Sequence, residues 1–284
     1  MEEMRKATII GLFTNIFLAI IKIIAAVMTG SIAIISDAIN SILDIISSGT
    51  TFIAVKLSKK ESNKRYPFGY KRAEPMAALF IAILAGILAF EIFRSAVVGL
   101  INGGSAHAPV TALPVIILSV AIIVKIIISE YYRKVGKRND SPALMASAID
   151  FRNDILCTAV ALIGYVGTSL KVYYLDDAAA IIVAGIIFYS GYQMALLNID
   201  YLMGKSPDDA TLFEIRRRAL AVTGVNKVKD VKAHYVGNYI HVEVEIIISK
   251  NHSAEEMHAT NHAVKAAIEG IYHIDKAFVH IEFE

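Results

Sequence analysis

The residues of this chain best placed to do chemistry are acids and an amide set in otherwise apolar surroundings. Residues 36 to 44 read Ser-Asp-Ala-Ile-Asn-Ser-Ile-Leu-Asp, and residues 149 to 154 read Ile-Asp-Phe-Arg-Asn-Asp. Asn40 and Asp44 are four residues apart, as are Asp150 and Asp154. On a helix, such partners lie about 40° apart around the axis and about 6 Å apart along it, so each pair projects from one face. Two pairs on neighbouring helices make a four-ligand site of oxygen donors only. Asp44, Asp150 and Asp154 bring three negative charges, and the base nearest in sequence is Arg152. It is two residues from each Asp of its helix, about 200° around, and so points away from their face. A divalent cation neutralises such a cluster, and protons replace it once the ion has left, which gives an exchange mechanism. The competing reading is a network of interhelical hydrogen bonds and ion pairs that only holds a bundle together. Carboxylate and carbonyl oxygens suit Mn²⁺, Mg²⁺ and Ca²⁺, whereas imidazole suits zinc.

The elements that must carry these residues are membrane spans. The chain is 56% apolar, and the long Ile, Ala, Leu and Val runs are concentrated between residues 7 and 203. Six predominantly apolar stretches lie near 7–29, 31–57, 75–101, 110–132, 142–169 and 174–202. Stretches of about 20 residues cross a hydrocarbon core of about 30 Å. An Asp facing lipid costs at least about 2.5 to 3.5 kcal/mol on insertion scales, so the acids should face the bundle interior. The loop 56–72 carries Lys56, Lys59, Lys60, Lys64, Arg65, Lys71 and Arg72, and the loop 133–138 carries Arg133, Lys134, Lys137 and Arg138. The other connections hold almost no Lys or Arg. This bias predicts a multi-pass protein of the cell inner membrane with both termini cytoplasmic. No small-residue cleavage site follows the first apolar run, which is therefore read as a retained helix. A net charge of +2 concentrated in short loops concerns membrane orientation and suggests no nucleic-acid partner.

Other polar groups in the spans have plainer expectations. Asp37, one turn before Asn40, is read as a packing acid with an accessory role at the site mouth as the alternative. Lys22 and Lys125 are expected to snorkel or to pair internally, and Glu91 with Arg94 has the spacing of an intrahelical pair. Cys157, the single cysteine, allows no intrachain disulfide and is expected to act as a small hydrophobe.

The predicted domains are 1–204, a six-helix membrane bundle, and 205–284, a small cytosolic α+β domain. Pro207 with Asp208 and Asp209 marks a helix start. An amphipathic helix to about 222, alternating strands near 227–235 and 239–249, a helix near 253–270 and a strand near 277–284 give the order α-β-β-α-β. That order suits a ferredoxin-like sheet with helices on one face. Seven of the eight histidines lie there, namely His234, His241, His252, His258, His262, His273 and His280. His258 and His262 have i, i+4 spacing, and His280 with Glu282 puts two ligand types on one strand face. The plainer reading is a set of solvated histidines.

Over nearly its whole length the chain resembles the cation diffusion facilitator family. The resemblance rests on the six spans, on Gly30-Ser31 with Ser36-Asp37-Ala38 and Asn40 to Asp44, on Tyr66 to Glu74, on Asp150 to Asp154, and on the α-β-β-α-β tail. It implies a proton-coupled homodimeric exporter, not an enzyme, working by alternating access with a transport site at Asn40, Asp44, Asp150 and Asp154. Zinc-type members carry His at the first position of one or both pairs, whereas Asn40 and Asp150 stand here. The Asn-Asp-Asp-Asp set resembles the manganese-exporting branch, so Mn²⁺ is expected ahead of Fe²⁺ or Zn²⁺. The resemblance also implies a regulatory divalent metal in a dimerising tail, with His258, His280 and Glu282 as ligands and His234, Glu243 and His262 as looser candidates. A metal site in the first cytosolic loop is not carried over, because Asn63, Tyr66 and Tyr70 stand there. The rival classes are a membrane-anchored metal-binding or assembly protein that moves no ion, and an intramembrane metalloenzyme. The first needs no acids at mid-membrane, and no His-Glu-x-x-His supports the second.

Overall fold

The computed structural model describes residues 2–58, 60, 62–103, 111–138, 142–168, 172 and 174–284. His107, Lys59 and Lys171 lie outside the described residues. Six long helices come first: α1 (Glu2–Thr29), α2 (Ile32–Ser58), α3 (Ala73–Ile101), α4 (Ala112–Arg138), α5 (Pro142–Thr168) and α6 (Tyr174–Met203). Five of them are long and apolar enough to cross a membrane. The other, α5, is as long, but the polar run Asp150 to Asp154 lowers its hydropathy. The expected basic loop at 133–138 is instead the end of α4, where Lys137 and Arg138 occupy the last turn and complement the helix dipole.

The chain forms two compact units, residues 1–50 with 80–193 and residues 51–79 with 194–284. In the first, small side chains allow close helix packing: Ala33 of α2, Ala85, Ala89 and Ala96 of α3, Ala161 of α5 and Ala180 and Ala184 of α6 share one apolar cluster. Cys157 is buried in that cluster. Gly164 lets α5 approach α6, since a Cβ there would fall 2.4 Å from that of Ala179. The α1–α2 turn passes through Gly30 at φ 65°, and Asp176 of α6 accepts from the Ile32 amide at 2.9 Å, capping α2 from a distant helix.

The second unit holds α7 (Asp209–Leu220), β1 (Lys227–Val236), β2 (Tyr239–Ile248), α8 (Ala254–Glu269) and β3 (Ile274–Phe283). The sheet order is β1-β2-β3, with β1–β2 antiparallel and β2–β3 parallel. Alternation along β2 buries Ile240, Val242, Val244, Ile246 and Ile248 against Ile215 of α7 and Val264 and Ile268 of α8. His241, Glu243 and Glu245 therefore face the other side. Asp208 caps α7 through the Thr211 amide, and Ser253 with Glu256 forms a reciprocal capping box on α8.

Candidate functional site

The two ligand pairs predicted from spacing lie on α2 and α5, and one contact joins them: Asn40 Nδ2 donates to Asp154 Oδ1 at 3.0 Å. The second oxygen of Asp154 accepts from Lys125 Nζ of α4 at 2.5 Å. Lys125 is 2% exposed, and its ammonium also donates to Asn15 Oδ1 of α1 at 3.0 Å and lies 4.7 Å from the Phe151 ring centroid. Asp44 Oδ2 is buried and has no hydrogen-bond partner among the described residues. An enclosed carboxylate oxygen without a donor is costly unless a cation or proton satisfies it. Asp150 is exposed. Among the described residues, no three His, Cys, Asp or Glu side chains lie close enough to share a metal ion. The like charges of Asp44, Asp150 and Asp154 repel; the charge of Asp154 is met by Lys125, and Asp150 is exposed.

A second buried network lies beside the first. Lys22, fully buried on α1, donates to Asp37 Oδ1 at 3.0 Å, Ser41 Oγ at 3.2 Å and Thr158 Oγ1 at 2.8 Å, tying α1 to α2 and α5. Thr158 Oγ1 also lies 3.0 Å from Asp37 Oδ1. Neither lysine snorkels. The charge balance therefore differs from the one read from α5 alone, where Arg152 was the nearby base. Arg152 is exposed and donates to Glu130 at 3.5 Å, while Lys22 and Lys125 bring the compensating charges from α1 and α4. Lys125 is the functional candidate that spacing arguments missed. The signal was present: a lone lysine within Ile-Ile-Val-Lys-Ile-Ile-Ile needs a buried partner in a span.

The tail candidates divide between two layers. His234, Glu243, His280 and Glu282 are on the sheet face away from the helices, where β2 pairs Glu245 with His280 and Glu243 with Phe278. Glu243, Glu245, Phe278 and His280 line one shallow hollow. Glu282 accepts from Lys229 at 2.7 Å. His258 and His262 have ring centroids 4.4 Å apart on the exposed side of α8, so the chain does not bring His258 to the His280 and Glu282 pair.

His241, which spacing did not single out, is 5% exposed, with Nε2 3.1 Å from Asp275 Oδ2 and its ring 5.9 Å from that of His234. Burial holds its imidazole below the ordinary histidine value, against the opposing pull of Asp275. For Asp275, burial works upward, but the Lys71 ammonium and His241 outweigh it and hold the carboxyl below its usual value. Lys71 and Phe68 come from the connection between α2 and α3, which belongs to the same compact unit as the tail. Lys71 is ion-paired with Asp275, Phe68 stacks obliquely near His241 at 5.9 Å, and Asn238 donates to Glu74 at 2.5 Å. Within the loop, Asn63 Nδ2 donates to the Tyr70 hydroxyl at 2.7 Å, and its Oδ1 accepts from the Arg65 and Tyr66 amides.

Residues 8–203 match the family described as cation efflux transmembrane domain, and residues 207–284 match the cation efflux protein cytoplasmic domain. An uncharacterized transporter of Methanocaldococcus jannaschii is 38% identical over 282 residues, covering 99% of both chains. The magnetosome protein MamB of Paramagnetospirillum magneticum is 26% identical, with 94% of this chain and 90% of MamB aligned. The manganese efflux system protein MneS of Bacillus subtilis is 23% identical over 99% of this chain and 97% of its own.

Proposed function

Because the chain belongs to the cation diffusion facilitator family, we propose that it exports Mn²⁺ from the cytosol in exchange for protons, by alternating access. It is a multi-pass membrane protein of a metal-transporting, non-catalytic family. In this reading it works as a homodimer in the cell inner membrane with both termini cytoplasmic, and its transport and regulatory domains meet at residues 204 and 205. Asn40, Asp44, Asp150 and Asp154 hold the ion during transport. The observation that supports the reading is that Asn40 of α2 meets Asp154 of α5, beside an enclosed Asp44 oxygen that lacks a donor among the described residues. Such donors favour Mn²⁺ over Zn²⁺. The name of the MneS relative supports the same cargo.

The cycle follows from charge. Entry of a divalent cation draws Asp150 and Asp44 toward Asp154, because attraction to the ion exceeds their mutual repulsion at contact distance. Release on the far side leaves carboxylates that take up protons, which return them to the inward state. In this reading the ligands of a regulatory divalent ion are drawn from His258, His280 and Glu282, with His234, Glu243 and His262 as looser candidates, and the ion itself gathers them, since no three lie together among the described residues. Metal binding there favours one packing of the dimer and so couples to transport.

The test is uptake of Mn²⁺, Fe²⁺ and Zn²⁺ into proteoliposomes under an imposed pH gradient. Uptake of Mn²⁺ ahead of the others, abolished when the gradient is collapsed, is the expected result. Preferred Fe²⁺ or Zn²⁺ uptake would reassign the cargo. No uptake of any ion by folded protein would favour the membrane-anchored assembly role.

A further inference from the structure

We propose that Lys125 is a tethered counter-cation that competes with the transported ion for Asp154, and thereby sets the minimum charge of the cargo at two. The inference rests on the transport site proposed above.

Lys125 has two places to be. It donates to Asp154 Oδ2 at 2.5 Å, and on the same ammonium it already holds Asn15 Oδ1 at 3.0 Å, with the Phe151 ring 4.7 Å away. Asn15 and Phe151 form a neutral cradle of carbonyl oxygen and aromatic face, which accepts an ammonium without a carboxylate. Lys22 differs. Its acceptors are Asp37, Ser41 and Thr158, none of which is a member of the proposed ligand set.

In a poorly screened site, a divalent ion at Asp154 repels the ammonium and attracts the carboxylate twice as strongly as the ammonium does. It therefore displaces Lys125 onto Asn15 and Phe151. A monovalent ion of equal reach gains no such advantage over a cation already tethered beside the site, so Lys125 excludes it. Once the divalent ion leaves, the ammonium returns to Asp154 and opposes rebinding, which speeds release.

The experiment is Mn²⁺ uptake by the full chain in proteoliposomes, with KM and kcat measured separately for the parent, Lys125→Met and Asn15→Leu. Removing the competitor in Lys125→Met should lower KM by about tenfold and lower kcat as release slows, the scale expected for moving a unit charge a few ångströms in a poorly screened site. Removing the cradle in Asn15→Leu should move KM the other way, upward by several-fold, because the displaced ammonium loses its second acceptor. Opposite signs are the outcome that a merely structural role would not produce. A KM unchanged or raised in Lys125→Met overturns the inference. If Lys125→Met yields no folded protein, Asn15→Leu decides, and a parent-like KM there overturns it. Sensitivity to Asp154→Ala separates the two levels: uptake that survives that change refutes the transport site itself, whereas uptake that requires Asp154 but shows unaltered KM in both variants refutes only the role of Lys125.

Discussion

Two buried lysine–aspartate pairs stand in the same helix bundle, and their surroundings differ in a way that separates scaffold from machinery. Lys22 and Asp37 are both fully buried, and the ammonium is held by Asp37, Ser41 and Thr158. Lys125 is as closely confined, but its partner Asp154 has a side chain 11% exposed, is bridged to Asn40, and belongs to the proposed ligand set. The first pair ties α1, α2 and α5 together through Asp37 Oδ1 and holds no member of the proposed ligand set, although Asp37 Oδ2, like Asp44 Oδ2, is buried without a hydrogen-bond partner among the described residues. The second leaves a carboxylate at the edge of a site where another cation can compete for it. A buried charge pair is weak evidence for stability, and its use is better judged by whether its partners can exchange.

The largest effects should fall on the second pair. Asp154→Ala and Asp150→Ala should each abolish metal uptake while leaving folded dimer, seen by size-exclusion chromatography with light scattering. Asn40→Ala deletes a neutral carbonyl and should be milder. Near-parental uptake in either aspartate variant would remove that residue from the site. Loss of the folded protein in Asp154→Ala, but not in Asp37→Ala, would reverse the comparison.

The first pair should instead show in stability. Lys22→Met leaves Asp37 buried without its ammonium and should cost about 3 to 5 kcal/mol. A denaturation series in detergent reads this directly. Adding Asp37→Leu should recover most of the loss, because an apolar pair can replace a buried ion pair at little net cost. A double variant no more stable than Lys22→Met alone would show that Ser41 and Thr158 carry the network.

A selectivity change sharpens the account of the site further. Asp150→His exchanges an anionic oxygen for a nitrogen that Zn²⁺ favours, and should raise zinc uptake relative to manganese. Asn40→His with Asp150→His should go further. A double variant that still carries Mn²⁺ well and ignores Zn²⁺ would place selectivity outside these four side chains.

The spans and the tail order were legible because each is a local pattern, apolar runs in one and period-two alternation in the other; i, i+4 spacing put Asn40 with Asp44 on α2 and Asp150 with Asp154 on α5 as a proposed ligand set. The contact of Asn40 with Asp154 agrees with that spacing. The approach of Lys125 from α4 was not legible, because nothing local to α5 says which helix packs against it. His241 was hidden for a similar reason. Its partner Asp275 lies on another strand, and the loop residues Lys71 and Phe68 that surround the pair are far away in sequence. The division of the tail histidines between α8 and the open sheet face likewise depends on layer order, which strand and helix periodicity leave open.

The smallest expected effect lies in the tail. The Glu214 carboxyl, hydrogen-bonded by Arg217 and Arg218, is held down at about 2, against an ordinary value of 4.5. Its folded value is depressed, so its contribution is complete above pH 4.5 and is lost as pH falls toward 2. The group is exposed, so the change should be slight. Circular dichroism of the full chain should show a small acid-induced weakening that Glu214→Gln removes. A pH profile identical in that variant would assign the weakening to other groups.

The central claim is that a buried carboxylate oxygen in the proposed ligand set, without a hydrogen-bond partner among the described residues, is there for a travelling ion, and Asp44 tests it most directly. Asp44→Asn preserves size and shape but removes the charge. Mn²⁺ uptake by that variant in proteoliposomes under a pH gradient should fall to the level of protein-free liposomes, with the dimer intact. Uptake at the parental rate would contradict the account.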